Sequence, residues 1–147
     1  VFKIIHKGNY GKQIRKLLQN KEVVAGLPKG SGSYPDGKSV IEVGAMNEFG
    51  TENIPARSFI RTPIQNAKKD IFKLVAIQSK KMYQLKSTPD TSLELVGTLM
   101  ENKMKESFVD NDWQENAQLT IKQKGSSTPL IDSGQLRQAI THEVRKK

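Results

Sequence analysis

At 147 residues with an apolar fraction of 35%, the chain has material for one modest hydrophobic core and not for two. It contains no cysteine, which excludes disulfides and thiolate metal sites, and no run of about 18 apolar residues, which excludes a membrane-spanning helix. The formal charge of +9 comes in alternating blocks: +6 over residues 1–30, −2 over 31–60, +5 over 61–90, −4 over 91–120 and +4 over 121–147. It is therefore a surface bias and not a basic tail. Residues 1–6 are too short and too soon broken by Lys3 for a secretory signal, and the composition suits a reducing cytoplasm.

In chain order, Ile14, Leu17 and Leu18 stand at i, i+3, i+4 and predict a short helix over residues 10–20. Glu22 to Leu27 is apolar and β-branched, closed by Pro28, and predicts a strand. Residues 28–38, with Gly30, Gly32, Gly37, Pro28 and Pro35, predict a flexible loop that orders on assembly. Ser39 and Glu42 form a capping box for a helix through Val43, Ala45 and Phe49, which Gly50 ends in left-handed backbone. Pro55 drives Ile54 out of helical space, so residues 54–61 predict an extended arm.

Thr62 as cap and Pro63 at the first position then predict a long helix. Ile64, Ala67, Ile71, Leu74, Val75, Gln78, Met82 and Leu85 keep one of its faces apolar for about six turns. Ser87 to Asp90 interrupts the pattern, and a second capping box at Thr91 and Glu94 opens another long helix. Its stripe is Leu93, Val96, Leu99, Met100, Met104 and Phe108, fading at Asp110 and Asp112. Residues 119–122 predict a short strand, 125–129 a loop, and Asp132 a cap before a short helix. Residues 139–144 alternate as a closing strand. The sum is a single α+β domain over 1–147, with two long amphipathic helices on a small, mainly antiparallel sheet, plus flexible loops.

A search for chemistry finds no catalytic constellation, no cofactor motif and no metal site. His6 and His142 each stand in a lysine-rich terminal segment without an evident second ligand, and read as lone surface histidines. There is no nucleophile elbow and no phosphate-binding loop. Glu42 and Glu48 are not one turn apart, and Asp110 with Asp112 reads as a solvated helix stop. Aromatics make up only 6% and are not interleaved with basic residues as base-stacking modules require. Lys68, Lys69, Lys80 and Lys81 fall on the polar side of an amphipathic helix, leaving weak phosphate contact as the alternative use of the charge.

Two stretches are more specific. One runs from Tyr34-Pro35-Asp36-Gly37 through Asn47-Glu48-Phe49-Gly50-Thr51 to Ile54-Pro55-Ala56-Arg57-Ser58-Phe59-Ile60-Arg61. The other is Pro129-Leu130-Ile131-Asp132-Ser133-Gly134-Gln135-Leu136. Together they resemble the phage virion-morphogenesis and tail-completion proteins, in which Glu-Phe-Gly-Thr precedes Pro-Ala-Arg-Pro-Phe and a Pro-Leu-Asp-Thr-Gly-x-Leu-like segment follows near the end. Ser58 and Ser133 depart from that pattern.

The resemblance implies a non-enzymatic assembly protein at the tail end or head–tail junction, made in the host cytoplasm and carried in the virion. Its partners would be tail, neck and connector proteins and further copies of itself in a ring. Arg57 and Arg61 beside Phe59 make a plausible anchor, because arginine forks onto carboxylates and phenylalanine fills a pocket. Tyr34, Phe49 and Asp132 complete the candidate partner-binding set. The alternative function is a basic nucleic-acid-binding accessory protein.

Overall fold

A computed structural model describes residues 10–18, 20–110 and 134–147. The predicted strand at 119–122, the loop at 125–129, and His6 and Asp132 with their assigned roles lie outside the described residues. Among the described residues six helices and two strands follow in order: α1 Tyr10–Leu18, β1 Lys21–Gly26, α2 Val40–Phe49, α3 Arg61–Asn66, α4 Lys68–Tyr83, α5 Pro89–Asp110, α6 Gln135–Ala139 and β2 Thr141–Lys146. The α+β class and the two long helices agree with the sequence pattern.

The strands near the two ends of the chain pair antiparallel, with Val23 opposite Val144 and Ala25 opposite His142. Helix α5 is the centre of the molecule, since both strands, α3, α4 and α6 pack on it, while α1 packs on α4. Its stripe supplies Val96, Met104 and Phe108 to the interior. One core cluster joins Val40, Phe59, Met104, Phe108, Leu136 and Ile140, and a second joins Ala67, Ile71 and Val96. Phe59 and Phe108 meet edge to face at 5.1 Å, the geometry their ring quadrupoles favour.

Within residues 28–38, Gly37 N–H donates to Tyr34 O at 2.9 Å and Tyr34 N–H donates to Lys38 O at 2.8 Å. Several local expectations are corrected. The long helix predicted after residue 62 is two helices separated at Ala67, whose φ of −81° and ψ of 2° leave helical space. Thr62 is not the cap, because α3 already begins at Arg61 and Pro63 stands third. Leu85 does not extend the apolar face: it lies past the end of α4 and is 86% exposed. Helix α5 starts one turn before the predicted box. Thr88 Oγ1 accepts the Thr91 N–H at 3.2 Å, and Pro89 takes the first position, where its missing N–H does no harm.

Candidate functional site

The stretch carrying the family resemblance folds into a corner between α2 and α3. Ser39 caps α2 by accepting the Glu42 N–H at 3.0 Å. The helix ends at Gly50, whose φ of 77° and ψ of 169° lie outside the left-handed helical region, in backbone open essentially to glycine alone. A Cβ there would stand 2.9 Å from Ala56 N and 3.1 Å from Ile54 O, so close chain approach enforces glycine a second time. The predicted arm therefore does not project. It folds back on α2, with Arg57 N–H donating to Asn47 O at 2.6 Å.

Glu48 organises this corner, and its side chain is only 4% exposed. Its carboxylate accepts the Ile60 N–H at 2.9 Å, the Arg61 N–H at 3.2 Å, the Ser58 hydroxyl at 2.8 Å and Arg61 Nε at 2.8 Å. It thus caps the start of α3 from another element, beside the Ser58 hydroxyl, which accepts the Thr62 N–H at 3.2 Å. Arg61 returns the arrangement, because Nη2 reaches the Glu48 main-chain oxygen at 3.4 Å at the negative end of α2. Burial alone would raise the Glu48 carboxyl. The Arg61 guanidinium and the donors of Ile60 and Ser58 outweigh it and hold the group below the usual carboxylate range.

The candidate partner-binding residues divide accordingly. Phe59 is fully buried and is a core side chain. Arg57 is buried at 7% exposure and donates from Nη1 to Asn47 Oδ1 at 3.3 Å, so it braces the corner instead of facing outward. Tyr34 is half-buried against the first core cluster. Phe49 and Arg61 are the two that face solvent: Phe49 is 66% exposed, with the Arg61 guanidinium 4.7 Å from its ring centre. Ile41 and Ala45, two turns and one turn before Phe49 on α2, are exposed too, so α2 is apolar on both its inner and outer sides.

A second polar cluster went unread in the sequence. His142 is not a lone surface residue, since its side chain is 15% exposed and both ring nitrogens are engaged. Nδ1 stands 2.6 Å from Glu101 Oε2 and Nε2 stands 2.9 Å from Glu94 Oε2. An imidazole donates to a carboxylate on each side only when it carries both protons. Burial pulls against that charge, but the bonds and charges of Glu101 and then Glu94 prevail and push the His142 pKa up. Glu101 also pairs with Lys105 at 2.6 Å. For Glu101 burial again opposes ionisation, and Lys105 and His142 overcome it, so its pKa is lowered. The signal available in sequence was the alternation of Ile140, His142 and Val144, which puts the histidine on the inward face of its strand.

No family model matches this chain, and no curated protein or solved structure matches it.

Proposed function

We propose that the chain is a structural, non-enzymatic assembly protein of a tailed bacteriophage or prophage. It acts at the tail end or head–tail junction, docking to neighbouring virion proteins and to further copies of itself. The observation that carries this is the α2–α3 corner, where a buried carboxylate holds Phe49 and Arg61 outward in the segment that resembles tail-completion proteins. A rigidly mounted aromatic under an arginine loses little freedom on docking, which suits a contact repeated at every subunit of a ring. The polar groups gathered elsewhere are committed to one another: Glu48 to a helix start, His142 to Glu94 and Glu101. That favours surface complementarity over turnover.

Light scattering across a concentration series tests the proposal, together with retention of tail-tube and connector proteins on the immobilised chain. Phe49→Ser is the informative variant, because the side chain is 66% exposed and its loss leaves the core intact. The expected outcome is a closed ring, or retention of one of those proteins, that Phe49→Ser abolishes while its thermal unfolding stays near wild type. A chain that is monomeric at every concentration and retains neither protein overturns the proposal. Charge reversal at Arg57 would report on folding instead, since that side chain lies inside the corner.

A further inference from the structure

The outward side of α2 is complementary to itself. Val40, Gly44 and Glu48 are buried, whereas Ile41, Glu42, Ala45 and Phe49 are exposed. Ile41, Ala45 and Phe49 follow one another at i, i+4, i+8, and Glu42 stands two turns before Phe49, so all four share the solvent face. Ala45 is the midpoint of the apolar line, about 6 Å along the axis from Ile41 and about 6 Å from Phe49.

The two ends of this face carry opposite charge. At the start of the helix Glu42 forms no ion pair among the described residues, and the neighbouring Lys38 is taken by Asp36 at 3.4 Å. At the other end the Arg61 guanidinium lies 4.7 Å from the Phe49 ring centre. Its Nε and Nη2 bond Glu48, and Nη1 has no hydrogen-bond partner among the described residues. Glu52, the other exposed carboxylate of this segment, lies past Gly50 and off the helix.

We infer that α2 pairs antiparallel with α2 of a second copy, about a twofold axis at Ala45. The axis sets Ile41 of each chain against Phe49 of the other. It brings Glu42 level with residue 48 of the second copy, where Arg61 is bonded, so an ion pair flanks the contact at each end. Two complementary halves on one face define an isologous contact, in which each half meets the other. The small side chain at the centre lets the axes approach to about 8 Å, the near limit of helix packing. Nucleic acid would meet a carboxylate and an apolar line instead of cations. One helix of ten residues gives a contact at the small end of protein interfaces, so the pair is weak and exchanges. The inference rests on the assembly reading in one respect, that this face is a docking surface, and names its occupant. A ring would then be built from dimers.

The chain has no cysteine, so a single one can be placed at the axis. Ala45→Cys in the full chain, held in a glutathione redox buffer, is expected to form a disulfide-linked dimer about tenfold faster than Ala76→Cys. Ala76 is an exposed alanine on α4 and controls for random collision. Added to Ala45→Cys, Glu42→Arg puts like charges together at both ends, and Phe49→Ser removes the apolar contact. Each should slow the trapping about fivefold or more. Glu42→Arg also separates the antiparallel pair from a parallel one, in which Glu42 and Arg61 stay apart. All four positions are exposed, so thermal unfolding of these variants should stay near wild type. Trapping no faster than the control overturns the inference, as does trapping indifferent to Glu42→Arg. Retention of a tail-tube or connector protein through Phe49 without any dimer also overturns it and leaves the assembly proposal standing. A dimer that forms and retains neither protein upholds the inference and leaves the phage reading without support.

Discussion

Leu85, in left-handed backbone at φ 57°, puts a magnitude on a local conflict between backbone and side chain. Left-handed backbone costs an L-residue about 1–2 kcal/mol, and glycine returns only about 0.5–1 kcal/mol of that through its freer unfolded state. Leu85→Gly is therefore expected to stabilise the fold by about 0.5–1 kcal/mol, read as a Tm higher by roughly 2 °C. A lower Tm would mean that the exposed side chain makes a contact the strain estimate omits. Glu48 and Arg61 separate in the same way. Arg61 is 58% exposed, so its charge pairing contributes about 1 kcal/mol or less, and Arg61→Ala should cost no more than that. The Glu48 carboxylate is buried and receives the Ile60 and Arg61 amides and the Ser58 hydroxyl, so Glu48→Ala should cost about 2–4 kcal/mol in urea titrations. Equal losses for the two variants would place the corner's stability in the ion pair and not in the amides. The sequence did carry a mark of this residue. An acidic side chain one residue from the end of a helix opposes the dipole there, so it needs a partner from elsewhere. That partner segment begins ten residues downstream, at Ser58, beyond the reach of any spacing rule.

Elements were legible where a single period ran unbroken and were misplaced where a tertiary contact set the boundary. The stripe of α5 and the pairing class of the two terminal strands were readable, because apolar periodicity and alternation record burial directly. The break at Ala67 was not, since Ala67 is buried and continues the apolar face across the interruption. The start of α5 was misplaced because Pro89 reads as a breaker in a helix interior and as a favoured residue in a first turn, and only the Thr88 cap decides between them. Packing of α5 on the sheet has a requirement of its own at Gly97. A Cβ there would lie 2.8 Å from both His142 Cγ and Val23 Cγ2, with the imidazole Cδ2 closer still. Neither neighbour yields easily, as His142 is held at both nitrogens and Val23 sits in the paired strand. Gly97→Ala should therefore cost about 1–3 kcal/mol despite alanine's better helix propensity, which favours it by about 1 kcal/mol. Urea unfolding checks this, and a stabilised Gly97→Ala would show that the helix and the sheet separate without penalty.

For the whole molecule, stability is tied to pH through groups that join distant parts of the chain. Glu48 links α2 to α3 and Glu101 links α5 to β2, and both have folded pKa values held below the ordinary 4.5. Their contribution is present above 4.5 and is lost as pH falls through the lowered values. His142 has the opposite sign. Its folded pKa lies above the ordinary 6.5, so its contribution is complete below 6.5 and is lost as pH rises through the raised value. Between 4.5 and 6.5 all three contributions coexist, and Tm should be highest in that range. Net charge acts against the alkaline part of this profile. The chain carries +9 near neutrality, and raising the pH reduces self-repulsion, which by itself would stabilise the fold. A fall in Tm above pH 6.5 therefore has to come from specific groups, and the clamp of His142 between Glu94 and Glu101 supplies one. The variant His142→Gln should be less stable than wild type at pH 6, lose less stability as pH rises, and keep the same decline on the acid side. Thermal unfolding of both proteins across the pH range measures it. Parallel curves above pH 6.5 would remove the histidine from the account and leave the sheet's hold on α5 to packing alone.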